Sequence, residues 1–111
     1  MKVKTEGNNT VIKDSHEDIA AFLEKITAQY TSFALQNLIL DLSNQIEATV
    51  ADILLFADLA AKHKKNGKSF IMVMNESFDF NEATDKVMLV PTLQEARDII
   101  ELEEIERDLG F

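Results

Sequence analysis

The chain has no cysteine and no tryptophan, and only one proline and three glycines among its 111 residues. Without cysteine there is no disulfide scaffold, no thiol catalysis and no cysteine-ligated zinc or iron–sulfur site. Gly7, Gly67 and Gly110 stand apart, each placed like a turn or a stop, so no glycine-rich loop is available to cradle a phosphate. His16 sits where a first helical turn is expected and His63 lies among lysines. Two such isolated imidazoles give no metal cage and no serine–histidine pair. No apolar run approaches the roughly 18 to 20 residues that span a bilayer. The start, Met-Lys-Val-Lys-Thr-Glu, has no apolar segment of the secretory kind. These absences lead us to expect a cytoplasmic, non-catalytic chain with no cofactor, no metal and no membrane partner.

The 46% hydrophobic content allows one packed core, and the length suits one domain. The net charge of −9 is uneven. Residues 94–111 carry Glu95, Asp98, Glu101, Glu103, Glu104, Glu106 and Asp108 against Arg97 and Arg107, a local net charge of −5. Lysines gather instead at Lys62, Lys64, Lys65 and Lys68. An acidic domain repels phosphate backbones, which argues against nucleic acid as a partner. The lysine cluster reads first as the solvated last turn of a helix, where cations suit the dipole, and second as an anion site.

Along the chain, Lys2 to Glu6 alternates in character, Gly7-Asn8-Asn9 supplies a tight turn, and Val11-Ile12 resumes an extended pattern: a β-hairpin. Ser15, with Asp18 three residues on, is placed to cap a helix carrying Ile19, Phe22, Leu23, Ile26, Tyr30 and Phe33 on its buried side. Asn37 to Leu42 is apolar almost throughout and reads as a central strand. Thr49 with Asp52 starts a second helix, expected to run unbroken to Asn66-Gly67 with Val50, Ile53, Leu54, Ala57, Ala60 and Ala61 facing the core. Phe70 to Met74 is a second apolar strand. A polar stretch follows, then a short strand at Val87–Val90, Pro91 as its stop, and Thr92 as the cap of a final helix. The expected order is ββαβαβ-loop-βα, an α/β fold with a mostly parallel sheet edged by the N-terminal hairpin.

Three groups of residues are candidates for function. Open α/β sheets bind ligands beyond the C-terminal ends of their strands, where Asp41, Ser43 and Asn75 fall. A small molecule or nucleotide there is one reading, and capping of turns is the other. On the second helix, Leu55, Phe56 and Leu59 lie opposite the expected core stripe and offer an apolar contact surface unless neighbouring helices bury them. In the final helix, Leu93, Ala96 and Ile100 share one face while Leu102, Ile105 and Leu109 share another, about half a turn away. One straight helix cannot press both sets onto one core. Either it bends or ends near Glu101, or the second set, with Phe111, contacts a protein partner or a second copy of the chain. A frayed, solvated terminus is the remaining reading.

Three stretches carry a resemblance to a known family. Asn37-Leu38-Ile39-Leu40-Asp41-Leu42-Ser43, Asn66-Gly67-Lys68-Ser69-Phe70-Ile71-Met72-Val73 and Val90-Pro91-Thr92-Leu93-Gln94-Glu95-Ala96 resemble the STAS domain of bacterial anti-sigma-factor antagonists. The resemblance implies one STAS-like domain over residues 1–111, with 102–111 as an acidic amphipathic tail, and a regulatory protein–protein interaction role. That family carries an Asp-Ser-Ser-Gly motif whose serine is phosphorylated to switch partner binding. The motif falls here on Thr49-Val50-Ala51-Asp52, and neither Val50 nor Ala51 has a hydroxyl. The resemblance therefore implies a lost phosphoswitch, with Thr49, better explained as an N-cap, the nearest residue able to take a phosphate. The ending from Pro91 is also similar to small STAS-like proteins encoded beside ribonuclease Z, but two isolated histidines cannot build that nuclease's zinc site.

Overall fold

The computed structural model describes residues 1–15 and 18–110. His16 and Phe111, both named above, lie outside the described residues. Strands β1 (Lys2–Glu6) and β2 (Asn9–Lys13) form the hairpin, turning through Gly7 at φ +60°. Strands β3 (Asn37–Leu42), β4 (Phe70–Met74) and β5 (Met88–Val90) then add in chain order. The sheet runs β1-β2-β3-β4-β5, antiparallel at the hairpin and parallel thereafter. This is the α/β order read from the sequence.

Parallel strands laid down in sequence, each joined by a right-handed crossover, must carry their connecting helices on one face. Helices α1 (Ile19–Ala28), α2 (Val50–Leu54) and α3 (Ala57–Lys65) share that face. There Phe22, Ile26, Ile53, Phe56 and Ala60 pack on Ile12, Leu38, Leu40, Phe70 and Met72. Helix α4 (Leu93–Asp108) follows the last strand and, among the described residues, is the one helix on the other face. Its Ala96 and Ile100 meet Val11, Ile39, Ile71, Val73 and Val90. The split follows from strand alternation: odd and even positions of β3 and β4 feed separate cores.

Three expectations are corrected in detail. Helix α1 begins at Ile19, beyond Ser15, and ends at Ala28, with Tyr30–Ser32 continuing as a 3₁₀ turn. The helix expected over 49–66 is two helices. At Leu55 and Phe56 the N–H groups bond carbonyls three residues back, on Asp52 at 3.3 Å and Ile53 at 2.9 Å, which tightens the chain before α3 resumes. The stripe that faces the sheet is Ile53, Phe56, Leu59, Ala60 and His63, not Val50, Leu54, Ala57 and Ala61. Both stripes have steps of three and four. Burial goes to the one with Phe and Ile because more apolar surface leaves water there than along a stripe rich in Ala. Counting His63 as polar hid its last member.

Helix α4 is continuous over 16 residues, so it neither bends away nor ends near Glu101. Thr92 caps it, accepting from Glu95 N–H at 3.1 Å.

Candidate functional site

The strand-end residues are engaged in loop geometry. Asp41 is buried, and its Oδ1 accepts from Ser43 N–H at 3.0 Å. Asn75 donates from Nδ2 to the Ser43 carbonyl at 2.8 Å, and its Oδ1 accepts from Ser77 N–H at 2.9 Å. These contacts close the turns after β3 and β4. The structure brings Ser43 and Asn75 together and turns the Asp41 carboxylate onto the turn that follows β3. Thr49 and Asp52 form a reciprocal capping box: Thr49 N–H reaches Asp52 Oδ2 at 2.9 Å, and Asp52 N–H reaches Thr49 Oγ1 at 3.3 Å. A cleft of 420 Å³ lies beside it, lined by Ile46, Glu47, Thr49, Phe78, Asp79 and Glu82 among others. Its charged walls are all acidic. A phosphate on Thr49 would face them with like charge.

The apolar surface expected at Leu55, Phe56 and Leu59 is mostly absent. Phe56 is 0% exposed and Leu59 9%, packed under α1 and against the sheet. The residues that do reach solvent there are Leu54 at 42% and Leu55 at 50%. The chain tightens between α2 and α3, and this junction leaves the two leucines outside.

Helix α4 behaves differently. Leu102, Ile105 and Leu109 are 56%, 50% and 65% exposed on its outer side. This stripe is held in place, not frayed. On the inner side, Arg107 donates from Nη1 to Ser69 Oγ at 3.2 Å and from Nη2 to Asn37 Oδ1 at 3.4 Å. Asn37, itself buried, donates from Nδ2 to Glu104 at 3.2 Å and to Asn9 Oδ1 at 3.0 Å, and accepts from Ser69 N–H at 2.9 Å. One turn after its N-terminus, Arg97 pairs with Glu6 at 3.2 Å. Both arginines of α4 are thus committed to the sheet side. The outer side keeps Glu95, Asp98, Glu101 and Glu106, all exposed, around the leucine–isoleucine stripe.

His63, which the sequence places among lysines, has a structural role that its neighbours do not announce. It is fully buried at the heart of the α3 face. The Tyr30 hydroxyl lies 2.7 Å from Nδ1 and the Gln36 carbonyl 2.7 Å from Nε2. Asn66 donates from Nδ2 to Tyr30 Oη at 3.1 Å, which leaves the phenol free to donate to Nδ1 while Nε2–H donates to Gln36. This is the neutral imidazole. Burial pushes its pKa below the ordinary 6.5, the Gln36 bond opposes that, and nearby Lys68 adds to it. With both ring nitrogens engaged, the imidazole acts as a structural pin. The spacing Ile53, Phe56, Ala60, His63 was the signal that could have found it.

Among the described residues, no three His, Asp or Glu gather as a metal ion would require. No helix among them is long and apolar enough to cross a membrane.

No family model matches the chain, and no curated protein matches it. Solved structures do. The NMR structure of the protein TM1081 aligns with a TM-score of 0.64 at 15% identity, covering 89% of this chain and 86% of that one. At that identity the likeness shows a shared α/β fold and nothing about activity.

Proposed function

We propose that the chain is a non-catalytic protein-interaction module of STAS-like architecture with a regulatory role, in which the family's phosphoswitch serine has been lost. One observation carries it: α4 buries Ala96 and Ile100 on the sheet and presents Leu102, Ile105 and Leu109 to solvent from a helix pinned along its length. Exposed apolar rows on rigid, amphipathic helices suit docking to another chain. Leu54 and Leu55 form a smaller, secondary contact. In place of the switch stand Val50 and Ala51, and the acidic cleft beside Thr49 disfavours a phosphate there.

The competing reading is a small-ligand or nucleotide-binding domain using the C-terminal strand edge at Asp41, Ser43 and Asn75, none of which lines the 420 Å³ cleft. It is weaker because Asp41, Ser43 and Asn75 are spent on their own turns. A thermal-shift screen of nucleotides and small anions separates the two. A ligand at about 100 times its dissociation constant stabilises by about 2.7 kcal/mol, and the interaction reading expects no such shift. Its own test is Ile105→Asp in a pull-down from the native cell, paired with sizing by ultracentrifugation. Loss of a captured chain is expected; capture and sizing identical to the parent would remove α4 from the account.

A further inference from the structure

The charge around the α4 stripe is one-sided. With 100° between successive residues, Glu95, Asp98, Glu101 and Glu106 fall within about a quarter turn of the line through Leu102, Ile105 and Leu109. No base of α4 itself shares that sector, because Arg97 and Arg107 point to the sheet, tied to Glu6 and to Asn37 and Ser69, while Lys64 and Lys68 of the neighbouring segment reach only the groove beside Glu103 and Glu106. The apolar row does not stop at Leu102. One turn earlier, Ile99 enters a 460 Å³ groove shared with Phe80, Leu89, Val90 and Pro91, whose rim carries Glu95 and Asp98. The stripe is an apolar track with Glu101 and Glu106 on its flanks and Asp98 and Glu95 at its N-terminal end, and the groove at Ile99 adjoins that end about a quarter turn away.

We propose that the occupant of this track is a basic amphipathic helix of another protein. Its apolar side chains would lie on Ile99, Leu102, Ile105 and Leu109, and its lysines or arginines would face Glu95, Asp98, Glu101 and Glu106. This deepens the interaction-module reading and rests on it. Charge selects the occupant. A second copy meeting this face symmetrically would set the same acids against themselves, and like charges juxtaposed at an interface are unfavourable. An anionic membrane surface is repelled for the same reason.

The probe is a fluorescein-labelled helical peptide of about 15 residues, about four turns, with leucines on one face and lysines elsewhere. Its twin carries glutamate at every lysine position. Two double variants are compared with the parent chain: Leu102→Ser/Ile105→Ser removes the stripe and keeps the charge, and Glu101→Lys/Glu106→Lys does the reverse. Circular dichroism confirms that both keep their helices. The lysine peptide should bind the parent, shift amide resonances within residues 95–109, and weaken by about tenfold or more in each variant and on raising salt from about 50 to about 500 mM. The glutamate twin should not bind. The inference is overturned if the twin binds as well, if neither peptide binds, if either variant binds unchanged, or if the shifts lie elsewhere. Concentration-dependent self-association abolished by Leu102→Ser/Ile105→Ser also overturns it, in favour of a second copy. Where Ile105→Asp loses a native partner but Glu101→Lys/Glu106→Lys keeps it, the basic occupant fails and the interaction-module reading stands.

Discussion

The two faces of the sheet are finished in opposite ways. On one, three helices converge on a broad core in which Phe22, Ile26, Ile53, Phe56 and Leu59 are buried, and only Leu54 and Leu55 at the α2–α3 junction are left exposed among their large apolar side chains. On the other, a single helix spans the strands with a narrow contact of Ala96 and Ile100, then continues on polar contacts through Glu104 and Arg107. One helix cannot cover a five-stranded sheet, yet α4 also keeps three large apolar residues on its far side. On the first face apolar surface is spent on stability. On the second there is a surplus, and a rigid surplus is what a docking surface requires.

This contrast can be broken from either side. The largest effect belongs to the closed face: Phe56→Ala should cost about 3 to 5 kcal/mol in chemical denaturation, since it empties the space under α1. Next comes the pin of α4. Asn37→Ala removes the partner of Glu104, of Ser69 N–H and of Arg107 Nη2, leaving Arg107 only its bond to Ser69 Oγ, and should cost about 1 to 3 kcal/mol. Amide exchange in residues 101–109 should accelerate more than in α1, and equal acceleration would show that the network does not anchor the helix.

A smaller effect is pH-dependent. The His63 pKa is lowered in the fold, so the neutral form is the one folding favours. Stability from this group is full above 6.5 and declines as pH falls through the folded value. The denaturation midpoint should therefore drop between about pH 7 and about pH 5, and His63→Gln should flatten that slope while lowering stability at neutral pH. The facing groups are Tyr30, Lys68 and Lys62, whose Nζ lies 4.6 Å from the Tyr30 ring centroid. A slope unchanged in His63→Gln would assign it to carboxylates elsewhere. The smallest stability effect belongs to the open face: Ile105→Ser should fall within about 0.5 kcal/mol of the parent, because its side chain is already half in water.

Much of this architecture was legible in the residues. Asn37–Leu42 and Phe70–Met74 read as central strands because a strand covered on both faces is apolar without alternation, and both are buried throughout. The outer stripe of α4 was legible too, because two apolar sets half a turn apart cannot share one core. The choice of stripe on α2 and α3 was not. Two sets at helical spacing competed, and the winning one ends in a histidine that is buried only because Tyr30 and Gln36, remote in sequence, satisfy both its nitrogens. The network at Asn37 was equally hidden, since its partners Glu104 and Arg107 lie 67 and 70 positions along the chain. Periodicity reports which face is apolar; it says nothing about polar side chains that meet only after the sheet has formed.

The most direct measurement is site-specific photocrosslinking in the native cell, with the probe at Ile105 on the open face and, as a control, at Ala61 on the outside of α3. The account predicts an adduct from Ile105, absent from Ala61, in which the crosslinked peptide of the other protein is a lysine- or arginine-rich amphipathic segment. No adduct at Ile105, the same adduct at both positions, or a crosslink to an acidic segment would contradict it.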